Sequence, residues 1–340
     1  MIGEIMLIVI IFVILLFLIM FFNKKGVPCI MYHHISSENG VSPEEFEKHL
    51  KIIAKSNTFK LEEIEKKNNK LPMNSILVTF DDGYEDNYKC AFPLLKKYNV
   101  KATVFLNTAY IDKDPCYMTW LQIKEMYESG LVDFQLHTHS HFSVISKVEI
   151  ERFFEEKDKN KRELLREMKN IYRRENVDDY PVFKKRGETA VKGYKITDEF
   201  IEKYEILLEK YKNLETAEKY EKLKSAVEEE LTAYITEYSY REYKERTLKE
   251  ILINKEEIEK HLDKKAEYLA NPWGHKSKEL LEILKECGIK GMITTKKGTN
   301  LFKLDTYKIR RYETKSFKQF KRRLFICKNY LTGKIFELVS

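Results

Sequence analysis

Hydrophobic and polar positions change rhythm several times along the chain. Ile5 to Phe22 (IMLIVIIFVILLFLIMFF) is one apolar run of 18 residues with no charge, glycine or proline. As a helix it would span about 27 Å, close to the ~30 Å hydrocarbon core of a bilayer. The flank Phe21-Phe22-Asn23-Lys24-Lys25-Gly26 lacks a small-x-small cleavage pattern, so the run reads as a retained membrane anchor rather than a cleaved signal. From Val27 onward, short apolar runs alternate with amphipathic ones. Strands are expected at 28–32, 76–80, 102–106, 132–136, 268–270 and 291–294. Helices are expected at 43–54 (Ser42 as cap, Pro43 at the first position, Glu45 completing the box), near 91–98, at 120–129 (closed by Gly130) and at 277–287. Such alternation argues for a parallel sheet or barrel with its connections outside.

Residues 147–248 break the rhythm. They are dense in Glu, Lys and Tyr. Phe200, Tyr204, Leu207, Tyr211 and Leu214 step by four and three, one apolar stripe on a long helix that Thr197 or Asp198 can cap. This segment reads as a largely helical insertion, with Tyr180–Gly187 as a non-helical loop able to reach a site. Tyr234, Tyr238, Tyr240 and Tyr243 suit helix packing, with stacking on a ligand ring as the alternative. The expected organisation is therefore an anchor over 1–26, a first α/β part over 27–146, the insertion over 147–248 and a second α/β part over 249–340.

Composition narrows the class. The 340 residues carry 61 Lys+Arg against 54 Asp+Glu, a net charge of +7, and 43% are hydrophobic. Charges of both signs are interleaved with no basic block, so a nucleic-acid partner is not expected. The hydrophobic share excludes wholesale disorder. The five cysteines are scattered with no CxxC, which excludes a cysteine zinc module and a dense disulfide framework.

Three clusters sit where strands end, the edge at which α/β sheets bind ligands. The first is Thr79-Phe80-Asp81-Asp82-Gly83. Adjacent carboxylates repel unless a cation or a shared proton intervenes, although an isolated Asp-Asp-Gly is more often a helix cap and turn. The second is His137-Thr138-His139-Ser140-His141. Extended chain puts all three imidazoles on one face, whereas a helical turn pairs His137 with His141. Neutral imidazoles suit Zn²⁺, Ni²⁺ or Co²⁺. His139 alone reads as a packing residue. The third is Asn271-Pro272-Trp273-Gly274, a tight turn that could present a backbone amide to an oxyanion or simply bury its tryptophan.

Together these segments resemble the polysaccharide deacetylases, the NodB-homology group of carbohydrate esterases. The resemblance rests on CIMYHHIS at 29–36, SPEEFEKHLKII at 42–53, ILVTFDDGYEDNY at 76–88, KATVFLN at 101–107, MTWLQIKEMYESGLVDFQLHTHSH at 118–141 and NPWGHKSKELLEILKECGIKGMITTKKGTN at 271–300. MYHHIS and the late PWG stretch are most similar to the branch that de-N-acetylates exopolysaccharides of the poly-β-1,6-N-acetylglucosamine type. The resemblance implies a distorted (β/α) barrel of about seven strands. It also implies a hydrolase whose divalent metal, zinc foremost, is held by Asp82, His137 and His141. Asp81 would be the base, His33 the acid, and the Trp273 amide an oxyanion donor. Peptidoglycan or chitin-like glycans are the alternative substrates, and an inactive carbohydrate-binding or assembly module the alternative role.

Two departures stand out. Many relatives carry an arginine where Asn271 stands, and that arginine orients the base. No histidine follows His275, so a C-terminal Leu-x-x-His is missing, which leaves His33 ahead of His34 and His275 as the acid. A cell-membrane, single-pass protein with its catalytic part outside is expected, with synthesis or export machinery as partner. Lys24 and Lys25 against Glu4 point weakly the other way.

Overall fold

The computed structural model describes residues 2–22, 26–274 and 277–339, apart from the side chains of residues 2, 4 and 19–22. Seven short strands form the main path of one parallel sheet, β1 (Cys29–Tyr32), β2 (Ser75–Phe80), β3 (Ala102–Leu106), β4 (Val132–Leu136), β5 (Tyr268–Ala270), β6 (Gly291–Ile293) and β7 (Tyr312–Glu313), and the short Asn57–Thr58 pairs in parallel with the start of β2. Their order is β6-β5-β4-β3-β2-β1-β7, and every neighbouring pair is parallel. An isolated parallel bridge joins Ile293 to Ile309, just ahead of β7, so the two ends of the order meet as in a barrel. β1 to β5 are buried along their whole length, as strands of a covered parallel sheet must be.

The helices between strands form where the sequence patterns place them. Pro43–Ile53 is capped by the Ser42 hydroxyl, which accepts from the Glu45 amide, and it buries Phe46, Leu50 and Ile53. Trp120–Glu128 starts at a reciprocal Thr119–Gln122 capping box, and Gly130 beyond it is left-handed at φ 75°. Cys29, Cys90 and Cys327 are free thiols.

The apolar run at the N-terminus is helical over Ile2–Phe22. The expected membrane span is not supported: among the described residues no helix is long and apolar enough to cross a membrane. The flanking Lys24 and Lys25, and His275, lie outside the described residues.

The chain divides into two compact units. One holds residues 1–140, 250–274 and 284–340; the other holds 141–249 and 275–283. The second unit corrects the expectation of a largely helical segment. Helices Arg162–Tyr172, Asp198–Tyr211 and Thr216–Ala226 are present. Beside them lies a four-stranded antiparallel sheet built from Ser143–Phe153, Pro181–Gly187, Tyr194–Ile196 and Ile235–Glu237. Tyr180–Gly187, expected as a loop, supplies the strand that pairs with Ser143–Phe153. The signal was a period-two alternation: burial switches residue by residue from Ser146 to Glu151, as on a strand with one covered face. The stripe on Asp198–Tyr211 is real. Phe200 and Tyr204 are buried, and Leu207 and Tyr211 pack against the same cluster. Thr197 caps the helix through the Phe200 amide.

Candidate active site

Register brings the candidate groups together before any side chain is considered. Tyr32 on β1 lies opposite Phe80 on β2. The next residues, His33 and Asp81, therefore leave the sheet side by side, and the Asp81 amide donates to the Tyr32 carbonyl at 3.0 Å. Leu136 on β4 lies opposite Leu269 on β5, which sets His137 beside Ala270. The His137 Nδ1 donates to the Ala270 carbonyl at 2.6 Å. That bond fixes the tautomer in which Nε2 keeps its lone pair, the arrangement expected of a metal-ligating imidazole.

Asp82, His137 and His141 each offer one ligand atom, all within 4.8 Å of one another. His137 Nε2 lies 3.3 Å from the Asp82 carboxylate. Two neutral imidazoles and a carboxylate leave open coordination positions, the donor set of a hydrolytic zinc site, so these residues fit a divalent metal. The backbone is forced into place to achieve this. Asp82, Thr138, His141 and Trp273 all have positive φ, at 73°, 64°, 54° and 55°, a strained region for residues other than glycine that clusters at functional sites.

Asp81 is held differently. Arg311, fully buried, grips its carboxylate with both guanidinium nitrogens, Nη1 to Oδ1 and Nη2 to Oδ2, each at 2.6 Å. Burial pushes the Asp81 carboxyl up, but Arg311 first, then His137 and His33, hold it below the usual carboxylate range. The expected arginine at position 271 is thus replaced from another strand: Asn271 is buried, and Arg311 supplies the charge. Burial pushes the His137 imidazole down, and the Asp81 and Asp82 carboxylates more than offset it, leaving its pKa raised.

His33 Nε2 stands 3.8 Å from the Asp81 carboxylate, with 36% of its side chain exposed. It is both near the base and open to solvent. His34 is tied elsewhere, with Nδ1 2.6 Å from Asp86 and its ring stacked on Tyr84. His139 is held by the Thr108 hydroxyl at 2.9 Å, a packing role. Trp273 follows β5 in the single turn Pro272–Gly274 and is 42% exposed. Gly274 is required there, because a Cβ would lie 1.8 Å from the Thr295 hydroxyl.

Three residues escaped the sequence reading. Arg311 precedes β7 among charged neighbours (Lys308, Arg310, Glu313) that hide its buried role. Asn107 donates to the His137 carbonyl at 2.6 Å and, through its backbone N–H, to that of Asp82 at 3.3 Å. The buried Asn254 accepts from the His137 amide at 3.0 Å and donates to the Leu106 carbonyl and the Thr108 hydroxyl, both at 2.9 Å. Asn107 closes the KATVFLN segment, where its bonds to the metal-site backbone are not visible, and Asn254 stands in no motif.

Comparison with known proteins agrees with this geometry. A polysaccharide deacetylase family model matches residues 68–175. The poly-beta-1,6-N-acetyl-D-glucosamine N-deacetylase of Staphylococcus aureus is 31% identical over 169 residues, covering 43% of this chain and 58% of that protein. YxkH of Bacillus subtilis is 37% identical over 129 residues, covering 35% of this chain and 44% of that one. The chain thus spans about half the length of the curated relatives it matches. Among solved structures, the BpsB deacetylase domain from Bordetella bronchiseptica superposes with a TM-score of 0.57 at 17% identity, over 86% of this chain and 97% of the other. IcaB from Ammonifex degensii gives 0.54 at 18%, over 90% and 97%. These two likenesses establish the barrel fold.

Proposed function

Because the chain carries a domain of the polysaccharide deacetylase family, we propose that it is a metal-dependent hydrolase. It removes N-acetyl groups from a cell-surface polymer of N-acetylglucosamine, of the poly-β-1,6-linked kind. The observation that carries the reading is the placement of two differently held carboxylates side by side. Asp82 belongs to a three-donor cluster with His137 and His141. Asp81 is clamped by Arg311 in its ionised form.

An acetamide is a poor electrophile and its amine a poor leaving group, so both ends of the reaction need help. A zinc ion held by Asp82, His137 and His141 would polarise the carbonyl and lower the pKa of water from 15.7 toward ~7. Asp81, kept ionised by Arg311, takes the proton of the attacking water. The Trp273 amide donates to the developing oxyanion, a contribution worth roughly 3 kcal/mol in comparable sites. His33 gives its proton to the departing nitrogen. Acetate and a free glucosamine unit result.

The test is acetate release from poly-N-acetylglucosamine by the full chain, before and after chelation and with Zn²⁺, Ni²⁺ or Co²⁺ returned. Release should vanish on chelation and return with metal. A folded protein that releases none with any of the three would overturn the reading. We also place the domain outside the cytoplasmic membrane, where such a polymer is reached. Protease added to intact spheroplasts should then digest it, and full protection would exclude that side.

A further inference from the structure

The loop that joins His137 to His141 is neither helix nor strand, and Thr138 and His141 within it have φ of 64° and 54°. Left-handed residues other than glycine persist only where their surroundings fix them. Here the carbonyls and the amides of the loop are held from different sides. Residues 107–110 take the carbonyls. Asn107 Nδ2 donates to those of His137 and Thr138 at 2.6 and 3.3 Å, the Ala109 amide to that of His139 at 3.0 Å, and the Tyr110 hydroxyl to that of Ser140 at 2.7 Å. The amides at the two ends of the loop are met by one helix, Tyr240–Leu262.

That helix sends one side chain to each end. Asn254, fully buried, accepts from the His137 amide at 3.0 Å, which is shared with the Leu106 carbonyl at 3.1 Å. The same side chain donates to the Leu106 carbonyl and to the Thr108 hydroxyl, so it bridges the ends of β3 and β4. Glu250 accepts from the Ser140 amide at 2.8 Å, next to His141. Positions 250 and 254 share one helix face and stand about 6 Å apart along the axis, at 1.5 Å per residue. A rigid element thus fixes the backbone at both metal histidines. Glu250, Asn254 and His137 belong to the same compact unit. Both helix residues lie outside every motif that carries the family resemblance.

We propose that Glu250 and Asn254 are positioning residues for the metal centre. Through the backbone at the two ends of the loop they set the spacing of His137 and His141, and with it the affinity for a divalent ion. The inference rests on the reading of Asp82, His137 and His141 as ligands. Neither helix residue is one of those three donors. Zinc–imidazole bonds are held at about 2.0–2.1 Å, and a site of this kind needs its ligands kept within roughly 0.5 Å of the productive geometry. A loop with two left-handed residues loses that precision once its amides are released.

The full chain, stripped of metal by chelation, would be titrated calorimetrically with Zn²⁺. Glu250→Ala, Glu250→Gln and Asn254→Ala would be compared with wild type, and Glu256→Ala, at an exposed position of the same helix, would serve as control. Glu250→Ala and Asn254→Ala should each lose about 10- to 100-fold in zinc affinity, the range for outer partners of a metal site. Glu250→Gln keeps an acceptor oxygen and should restore most of the affinity. The visible spectrum of the Co²⁺-loaded protein, which reports ligand geometry, should change in the two alanine variants at 250 and 254 and stay as in wild type for Glu250→Gln and Glu256→Ala. Wild-type zinc affinity and cobalt spectrum in either folded variant, Glu250→Ala or Asn254→Ala, would overturn the proposal even if the urea midpoint fell. Should Asn254→Ala not fold, the Glu250 pair decides: loss in Glu250→Ala with recovery in Glu250→Gln upholds the proposal, and equal loss in both overturns it. The expected zinc pattern without acetate release from any glycan would keep the positioning role and sink the hydrolase reading, whereas a wild type that binds no Zn²⁺ would sink both.

Discussion

Arg311→Met should abolish most activity and destabilise the fold, although residue 311 lies outside every motif that carries the family resemblance. The guanidinium is fully buried against a buried carboxylate. Removing one member of such a pair leaves an uncompensated charge, typically at about 3–5 kcal/mol. The loss should read as a lower midpoint in urea at an unchanged slope. The sign of the pH effect follows from the cause of the pKa. In the wild type the Asp81 carboxyl is depressed, so its contribution to stability is present above the ordinary carboxylate pKa and is lost only as pH falls through the depressed value. Without Arg311, burial dominates and the carboxyl rises. The variant is then weakest near neutral pH and recovers relative to wild type in acid. The acid limb of kcat/KM should move to higher pH, and the rate at neutral pH should fall toward the loss of about 10²- to 10⁴-fold that a disabled general base brings. Arg311→Lys keeps the charge but not the fork and should fall between. A wild-type acid limb in folded Arg311→Met would end the argument that this arginine tunes the base.

The other large effect is expected at Asp82. Asp82→Asn keeps shape and volume, and asparagine tolerates the left-handed conformation seen at φ 73° better than most residues, so the fold should survive. Zinc affinity, measured by calorimetry on the chelated protein, should drop by more than the 10- to 100-fold typical of outer partners, with acetate release lost in parallel. His137→Ala should do the same and also destabilise, because the ring's bond to the Ala270 carbonyl ties β4 to β5. His139→Ala should leave zinc affinity unchanged. Equal zinc binding by Asp82→Asn and wild type would remove Asp82 from the metal site.

Much of the barrel was legible because its strands are short, largely apolar runs, most of them followed by a polar residue. Ala102–Leu106 and Val132–Leu136 fall where the pattern places them. The candidate cluster was legible because its residues are local in sequence: Asp81 beside Asp82, His137 four before His141. What escaped depends on distant contact or competing periods. In Ser143–Phe153 the charged residues that suggested a helix are the solvent side of a strand whose inward positions include Val148 and Ile150. Arg311, Asn107 and Asn254 act through tertiary contacts that no local pattern records. The doubt raised by Asn271 dissolves in three dimensions, because a guanidinium can reach Asp81 from β7 as well as from the turn after β5.

The distance along the chain between Asp81 and Arg311 also carries a consequence for biosynthesis. The two are 230 positions apart, and the unit that contains them is assembled from three separate stretches of sequence. At ribosomal speeds of roughly 5–20 residues per second, Arg311 emerges about 10–50 s after Asp81. Throughout that interval the nascent polypeptide holds both aspartates without the guanidinium that keeps the base charged, and for much of it both histidines as well. The reaction centre is therefore timed by translation: it falls silent on any product cut short before residue 311, and it can switch on only when the last strand slides in beside the first.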